Sequence, residues 1–425
     1  MILSPREAAY FALLFSLKQE NYVAKSLENW QQRDKPSALD FAFAYEIAAG
    51  SARMALALDY IALQLTTNKK LSLKLKERAL LRTAIYQHCF MDRVPLYAIV
   101  DESIKIAKKY CHVSFANFLN ALLRKLSDNT PSLPLGNTAD DLSIRLSYPV
   151  YFVKALVDDY GMEQAVDLLE IGNKPQAILV RIRPGMNQED SAYKHLKLFD
   201  SNNISLGMIE NASQLSGVAS SPNLYIQNAT PAVLISELAQ KSNLTHPQSC
   251  PKRILDLCAS PGGKLLAAHD AFPEASLFAN DVSQEKLLQL SKNLAKYQIE
   301  ANLSCGPGEE YPEGDPFDIV ILDVPCSNSG VLHKRPEARW RLNPESIKSL
   351  KKTQLKLLEH ASTLINKDGV IWYLTCSILK DENEGLISEF CSRHAMEVVW
   401  SRTILPNNDG WDGGYGCLLK ANQML

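Results

Sequence analysis

The sequence predicts a multidomain chain: an all-α N-terminal domain, a small α+β middle subdomain, and a C-terminal Rossmann-like α/β domain. Three observations predict it. Up to about residue 128, apolar and alanine-rich stretches recur near every third or fourth position with few β-branched runs. Asp128 to Asn137 then reads D-N-T-P-S-L-P-L-G-N, and such proline, glycine and asparagine density marks a linker. From about Pro231 onward, short apolar runs alternate with helical patterns, as parallel strands joined by crossover helices do. The expected boundaries are a helical domain over 1–128, a linker over 129–144, the small subdomain over 145–230 and the α/β domain over 231–425.

Element by element, helical periodicity is clearest at Leu39–Leu65, Leu75–Cys89 and Val113–Leu126. Ala8 to Leu17 has the length of a signal-peptide core, yet no small-residue cleavage site follows, so it reads as the first amphipathic helix. Past the linker, short helices near Val150–Asp159 and Glu163–Glu170 lead into a strand over Ala177–Ile182. A helix near Glu189–Phe199 and strand-like pieces up to Leu224–Ile226 complete the subdomain. The C-terminal domain then reads strand Arg253–Cys258, helix from Lys264, strand Ser276–Asn280 and helix Gln284–Tyr297. Strand Ile319–Asp323, helix Pro344–Ile365, strand Val370–Thr375 and helix Asp381–His394 follow. A strand pair near Glu397–Trp400 and Tyr415–Lys420 closes the chain.

The bulk numbers exclude several classes. No apolar run reaches the ~18 residues of a membrane span. Nine cysteines without paired spacing form neither a disulfide framework nor a zinc site, which points to a reducing cytoplasm and to no bound metal. Net charge is −2, so charge distribution says more than its total. Lys69 to Lys125 holds 12 basic and 4 acidic residues, and His333 to Lys356 holds 8 and 2. Such patches can neutralise phosphates, although lysines on solvated helix faces give the same count.

The chemistry concentrates at strand ends. Ile254-Leu255-Asp256-Leu257-Cys258-Ala259-Ser260-Pro261-Gly262-Gly263-Lys264 reads as a strand, a tight glycine turn and a helix start, where backbone can approach a ligand closely. It is neither a Walker A loop nor a dinucleotide G-x-G-x-x-G. Asp281 ends the second strand, where a carboxylate accepts from ribose hydroxyls, although it would equally cap the helix at Gln284. A nucleoside lacking a pyrophosphate fits best, and S-adenosylmethionine is the obvious one. Two cysteines also follow buried-type strands: Asp323-Val324-Pro325-Cys326-Ser327 and Thr375-Cys376-Ser377. Strand-end cysteines are often plain packing. Two thiols aimed into one crevice, with a carboxylate close by, instead suggest covalent catalysis, one sulfur attacking and the other assisting release. The residues alone do not say which attacks.

Together, Asp256-x-Cys258-x-x-Pro261-Gly262-Gly263-Lys264, Asp323-x-Pro325-Cys326-Ser327-x-x-Gly330, Arg335-Pro336-Glu337-x-Arg339-Trp340 and Thr375-Cys376-Ser377 resemble the signature set of RNA 5-methylcytosine methyltransferases. Their order and spacing are similar to the RsmB branch (also called Sun or Fmu), which acts on 16S rRNA. Asn120-Ala121-Leu122-Leu123-Arg124-Lys125 closes a helical segment resembling the NusB-type RNA-binding domain of that branch. The resemblance covers nearly the whole chain.

It implies an S-adenosylmethionine-dependent (cytosine-5)-methyltransferase acting as a monomer on 16S rRNA, free or in an assembling small subunit. The cofactor would lie on residues 258–264, Asp281 and Asp323. Carbon 5 of cytosine is a poor nucleophile until a thiolate adds to carbon 6, and a base must later remove the carbon 5 proton. Asp323 can hydrogen-bond ring nitrogen 3 and drain charge during attack. The resemblance implies that Cys376 attacks, Cys326 assists release and Lys264 holds Asp323 or the base. Lys334, Arg335, Arg339 and Trp340 would then form an RNA-facing loop mixing cations with an aromatic. A basic helix entry with Trp340 as a core anchor is the alternative. Arg181 falls in the family's Arg-Val-Asn element, where Arg183 is a departure. Further departures are Gly306-Pro307 for Gly-Asp, Asn228 to Ala232 for Asp-x-Ser-x-Gln, and a loose Asp412-Gly413-Gly414-Tyr415. A NusB-like binding module with a decayed methyltransferase half is the rival reading.

Overall fold

The computed structural model describes residues 2–67, 69–184, 196–201, 204–210, 214–244 and 250–422. They fall into two compact units, residues 1–173 with 332–342, and residues 174–331 with 343–425.

The first unit is helical: α1 (Pro5–Leu17), α2 (Val23–Asp34), α3 (Ala38–Arg53), α4 (Ala55–Leu65), α5 (Leu75–Phe90), α6 (Leu96–Tyr110), α7 (Val113–Asp128), α8 (Ala139–Leu146), α9 (Val150–Tyr160) and α10 (Met162–Ile171). α1 begins at a capping box, in which the Ser4 hydroxyl accepts from Glu7 N and Glu7 Oε2 accepts from Ser4 N, with Pro5 at the first helical position. The buried run Ala48-Ala49-Gly50-Ser51-Ala52 lets α3 approach α5 closely, since a Cβ on Gly50 would lie 1.9 Å from Tyr86 Cζ. Arg82 reaches Asp59 with both ends of its fork, at 2.8 and 2.6 Å. α8 begins inside the expected linker, at a Thr138–Asp141 capping box. Helices α9 and α10, expected to open the middle subdomain, pack instead with α8 and the N-terminal helices. Ser147 Oγ accepts from Leu56 N on α4 at 2.9 Å.

The second unit carries two sheets. β1 (Ile178–Ile182), β2 (Leu196–Ser201), β3 (Ile204–Ile209) and β4 (Leu224–Ile226) form an antiparallel sheet in the order β2-β3-β1-β4, with the short helix α11 (Leu215–Ser220) before β4. The helix expected near Glu189–Phe199 lies largely outside the described residues, and its last four residues belong to β2. After α12 (Ala229–Lys241) come β5 (Arg253–Asp256), α13 (Gly263–Ala271), β6 (Ser276–Asp281), α14 (Gln284–Tyr297), β7 (Asn302–Cys305) and β8 (Phe317–Asp323). Then follow α15 (Pro344–Leu364), β9 (Ile365–Thr375), α16 (Glu384–Arg393), β10 (Met396–Ile404) and β11 (Gly414–Ala421).

Their sheet runs β10-β11-β9-β8-β5-β6-β7, parallel from β9 to β7 and antiparallel across β10 and β11. The central strands are apolar because helices cover both faces: Ile319, Ile321, Trp372 and Leu374 face one core, Val320, Leu322, Ile371 and Tyr373 the other. Strand order reverses between β5 and β8, so the crevice opens beyond Asp256, Asp323 and Thr375. Among the described residues no single helix is long and apolar enough to cross a membrane.

Candidate active site

The reversal point gathers four of the expected residues. Sγ of Cys326, in the loop after β8, lies 3.0 Å from Sγ of Cys376, which directly follows β9. Asp323 ends β8, and its Oδ2 is 2.5 Å from Lys264 Nζ in the first turn of α13. The two thiols differ in setting. Cys326 is buried, and its hydrogen bond to Cys376 and its burial raise its pKa well above the ordinary thiol value. Cys376 is half-buried, and its Sγ also contacts Asn328 Oδ1 at 3.4 Å. Asp323 and Cys376 both hold the Lys264 ammonium charged, raising its pKa despite burial.

Tight backbone packing fixes these loops. Gly330 N donates to Cys376 O at 2.9 Å, and Gly413 N donates to Gly330 O at 2.8 Å. A Cβ on Gly330 would lie 2.5 Å from Gly413 O, so glycine is required where the loops cross. Beneath the thiols lies a buried polar group that the sequence reading missed: Ser327, Ser329, Ser377, Gln354 and Glu382.

The glycine turn after β5 is tied to β6. Ala259 N donates to Asn280 O, and Asp281 accepts from Ser260 N at 3.3 Å and Ser283 N at 3.0 Å. The cap of α14 is Ser283, not Asp281. Gly262 has φ +107°, a conformation that L side chains rarely adopt. Gly263 leaves room for Tyr225 and Gln227. Asp256 is fully buried, and burial followed by the nearby Asp323 pushes its carboxyl up to about 8. Burial and Asp256 likewise push the Cys258 thiol up. The region suits an adenosine-type group: Asp281 and Asp323 offer acceptors at the strand ends, α13 presents its N-terminus, and exposed Val282 offers an apolar surface beside them. Among the departures, Asn228 caps α12 by accepting from Thr230 N and also from Asp412 N, so it fills an Asp position with its amide bound to Gly410 O. Pro307 precedes a single 3-10 turn over Gly308–Glu310.

The expected RNA-facing residues separate into two groups. Lys334 and Arg335 are exposed, with the Arg335 guanidinium 5.6 Å from the Tyr22 ring. Arg339 is a correction. It is fully buried in the first unit, donating to Arg53 O, Ser147 O, Asn173 Oδ1, Tyr148 OH and Gly172 O, with its guanidinium 3.8 Å from the Tyr148 ring centre. Desolvation lowers its pKa to about 10, which still leaves it cationic at neutral pH. Trp340 is half-buried and donates to Ala52 O at 2.7 Å, the core-anchor alternative. Arg339→Lys is therefore expected to destabilise the helical unit by about 3 kcal/mol in urea unfolding, because a point charge cannot serve five spread acceptors. Arg181 is also buried. It pairs with Asp270 and Gln227, while Arg183 donates to the same Asp270 carboxylate, so both arginines brace β1 against α13 rather than facing RNA. Asp270 is held down at about 2, where hydrogen bonds and these cations outweigh burial.

A cavity of about 700 Å³ opens at the opposite end of the strands, lined by His269, Ser276, Asn302 and the last turn of α14. It holds none of the groups described above.

Residues 3–128 match the NusB family, and residues 244–415 match the family described as 16S rRNA methyltransferase RsmB/F. Ribosomal RNA small subunit methyltransferase B of Vibrio cholerae serotype O1 is 26% identical over 99% of this chain and 98% of that protein. The protein of the same name from Photorhabdus laumondii is 27% identical over 92% and 91%. A crystal structure of PH0851 superposes with a TM-score of 0.79 at 20% identity, covering 99% of both chains. NSun6 from Pyrococcus horikoshii, crystallised with SFG, gives 0.55 at 14% identity over 65% of this chain and 98% of that one. The chain thus carries an RsmB/F-family methyltransferase domain over residues 244–415 and a NusB-family domain over residues 3–128.

Proposed function

We propose that the protein methylates carbon 5 of a cytosine in 16S rRNA, with S-adenosylmethionine as donor and a covalent Cys376–cytosine adduct as intermediate. The observation carrying this reading is the 3.0 Å thiol pair, next to the Lys264–Asp323 ion pair, at the strand reversal point. The relatives' names support rRNA as the substrate class, and a NusB-family domain supports RNA binding.

Each group suits one task. Cys376 directly follows β9 beside the Lys264 ammonium, and its Sγ would bond to carbon 6. Asp323, paired with the Lys264 ammonium, would pass a proton from that ammonium to nitrogen 3 as electrons move there. The ring would then be an enamine with a nucleophilic carbon 5. Residues 258–264, Asp281 and Asp323 would hold the donor, which would supply an electrophilic methyl on a sulfonium sulfur. Cys326 lies 3.0 Å from the attacking sulfur; having released its own proton to solvent once the adduct forms, it would as a thiolate take the carbon 5 proton while the bond from Cys376 to carbon 6 breaks and Cys376 leaves as thiolate. Lys334 and Arg335 remain as exposed cations for phosphate.

Bisulfite mapping of 16S rRNA from cells with and without the protein tests the reading. One cytosine should lose protection when the protein is absent. An unchanged map, with no calorimetric affinity for S-adenosylmethionine, would leave the binding-module reading standing.

A further inference from the structure

Glu382 lies in a short 3-10 turn (Lys380–Glu382) before α16 and is completely buried, yet among the described residues no basic side chain hydrogen-bonds to it. Instead it accepts from three loops and helices at once. Oε1 accepts from Ser327 N at 2.9 Å, in the residue following Cys326, and from Gln354 Nε2 of α15 at 3.1 Å. Oε2 accepts from Ser377 Oγ at 2.7 Å, in the residue following Cys376. Its own carbonyl accepts from Tyr373 OH of β9 at 2.9 Å. One carboxylate therefore holds the chain immediately after each thiol.

The surrounding hydrogen bonds reinforce this. Ser377 Oγ accepts from Leu379 N at 3.1 Å and from Ser327 Oγ at 3.2 Å, lies 2.9 Å from Ser329 Oγ, and makes the shortest of these contacts, 2.7 Å, to Glu382 Oε2. Gln354 Nε2 also donates to Pro325 O at 2.9 Å, so α15 grips the Pro-Cys turn on both sides of Cys326. A buried carboxylate with three fixed donors tolerates little displacement, since moving any donor leaves charge unsatisfied at low dielectric.

We infer that Glu382 is a positioning residue that sets the separation of Cys326 and Cys376 by tying both of their loops to α15 and β9. Its side chain bonds to the residue after each thiol rather than to the sulfurs, and it acts on the reaction only through them. This rests on the two-thiol reading above, which needs both sulfurs within reach of one pyrimidine.

The test compares Glu382→Ala and Glu382→Gln in the full chain by two readouts. The first needs no RNA. Diamide takes two hydrogens from the thiols, gaining two N–H bonds as the S–S bond forms, and the rate of the intramolecular Cys326–Cys376 disulfide reports their geometry. The second is methyl transfer, split into kcat and KM, with calorimetric affinity for S-adenosylmethionine alongside.

Glu382→Ala should slow both disulfide closure and kcat by about a hundredfold, the effect of an ångström-scale misplacement, while donor affinity stays within about threefold. Glu382→Gln keeps an acceptor for Ser327 N and should recover both rates to within about tenfold of the parent. Should Glu382→Ala not fold, Ser377→Ala removes one tether and should lower both rates by a smaller factor. Parental closure and kcat in a folded Glu382→Ala or Ser377→Ala would overturn the assignment. Cys376→Ala separates the two claims. If it still methylates, the covalent reading fails, whereas the closure rate still reports whether Glu382 sets the thiol pair.

Discussion

Replacing Cys376 with alanine is expected to abolish methyl transfer and covalent capture of RNA together, whereas Cys326→Ala should keep capture and lose release. The asymmetry follows from the thiol settings. Cys326 is buried and donates or accepts within a thiol–thiol hydrogen bond that holds its pKa high, so it is a poor thiolate at neutral pH. Cys376 is less buried and lies in the field of the Lys264 ammonium. Removing the attacking sulfur should lower turnover by about four orders of magnitude or more, as losing a nucleophile does elsewhere. Removing Cys326 should leave the carbon 5 proton with no base at this position. The adduct then accumulates as a protein–RNA band that survives denaturation on a gel, dependent on the methyl donor. Accumulation of that band in Cys376→Ala, with none in Cys326→Ala, would reverse the two roles.

Much of this site was legible in the sequence because its signals are local. A short, largely apolar run followed by a glycine turn gives strand, loop and helix start at Ile254–Lys264, and β5, α13, β6, α14, β8 and α15 lie within a few residues of their expected spans. The thiols were legible for the same reason, since each directly follows a buried-strand pattern. Arg339, in the charged run Lys334 to Arg341, and Arg181, placed toward RNA by the resemblance although it stands in the apolar strand Ile178–Ile182, are both buried. Their burial depends on acceptors up to 286 residues away in sequence, such as Arg53 O for Arg339, or 89 residues, such as Asp270 for Arg181. Glu382 was invisible in the same way. In Lys380-Asp381-Glu382-Asn383 it looks like the polar first turn of an exposed helix, and only its fold partners make it a buried hub. The middle subdomain boundary shifted because α8 to α10 are amphipathic helices whose apolar faces need a helical core, which the short strands β1 to β4 do not supply.

Asp256→Asn is expected to stabilise the α/β unit, and by more as pH rises. Asp256 has no exposed surface. Its Oδ1 accepts from Cys258 N at 3.2 Å, and its Oδ2 has no hydrogen-bond partner. Burial first, and Asp323 second, push its carboxyl from an ordinary 3.8 up to about 8. Below pH 3.8 the group is protonated whether the chain is folded or not, so it adds no pH dependence there. Between those two values the unfolded chain releases the proton and the native chain keeps it. The native state then binds more protons, and stability falls with rising pH by about 1.4 kcal/mol per unit. The loss accumulates to the order of 5 kcal/mol near pH 8, where the native group ionises too and the slope ends. Asparagine copies the neutral acid in shape and never ionises, so the variant should match the parent near pH 4 and exceed it progressively up to pH 8. Hydrogen exchange of β5 and β8 amides, read at pH 5, 6.5 and 8, isolates this unit from the helical one. A stability difference that stays constant across those three values would mean that Asp256 is ionised throughout in the folded protein. The carboxyl beside the glycine turn would then be a fixed charge rather than a neutral acid.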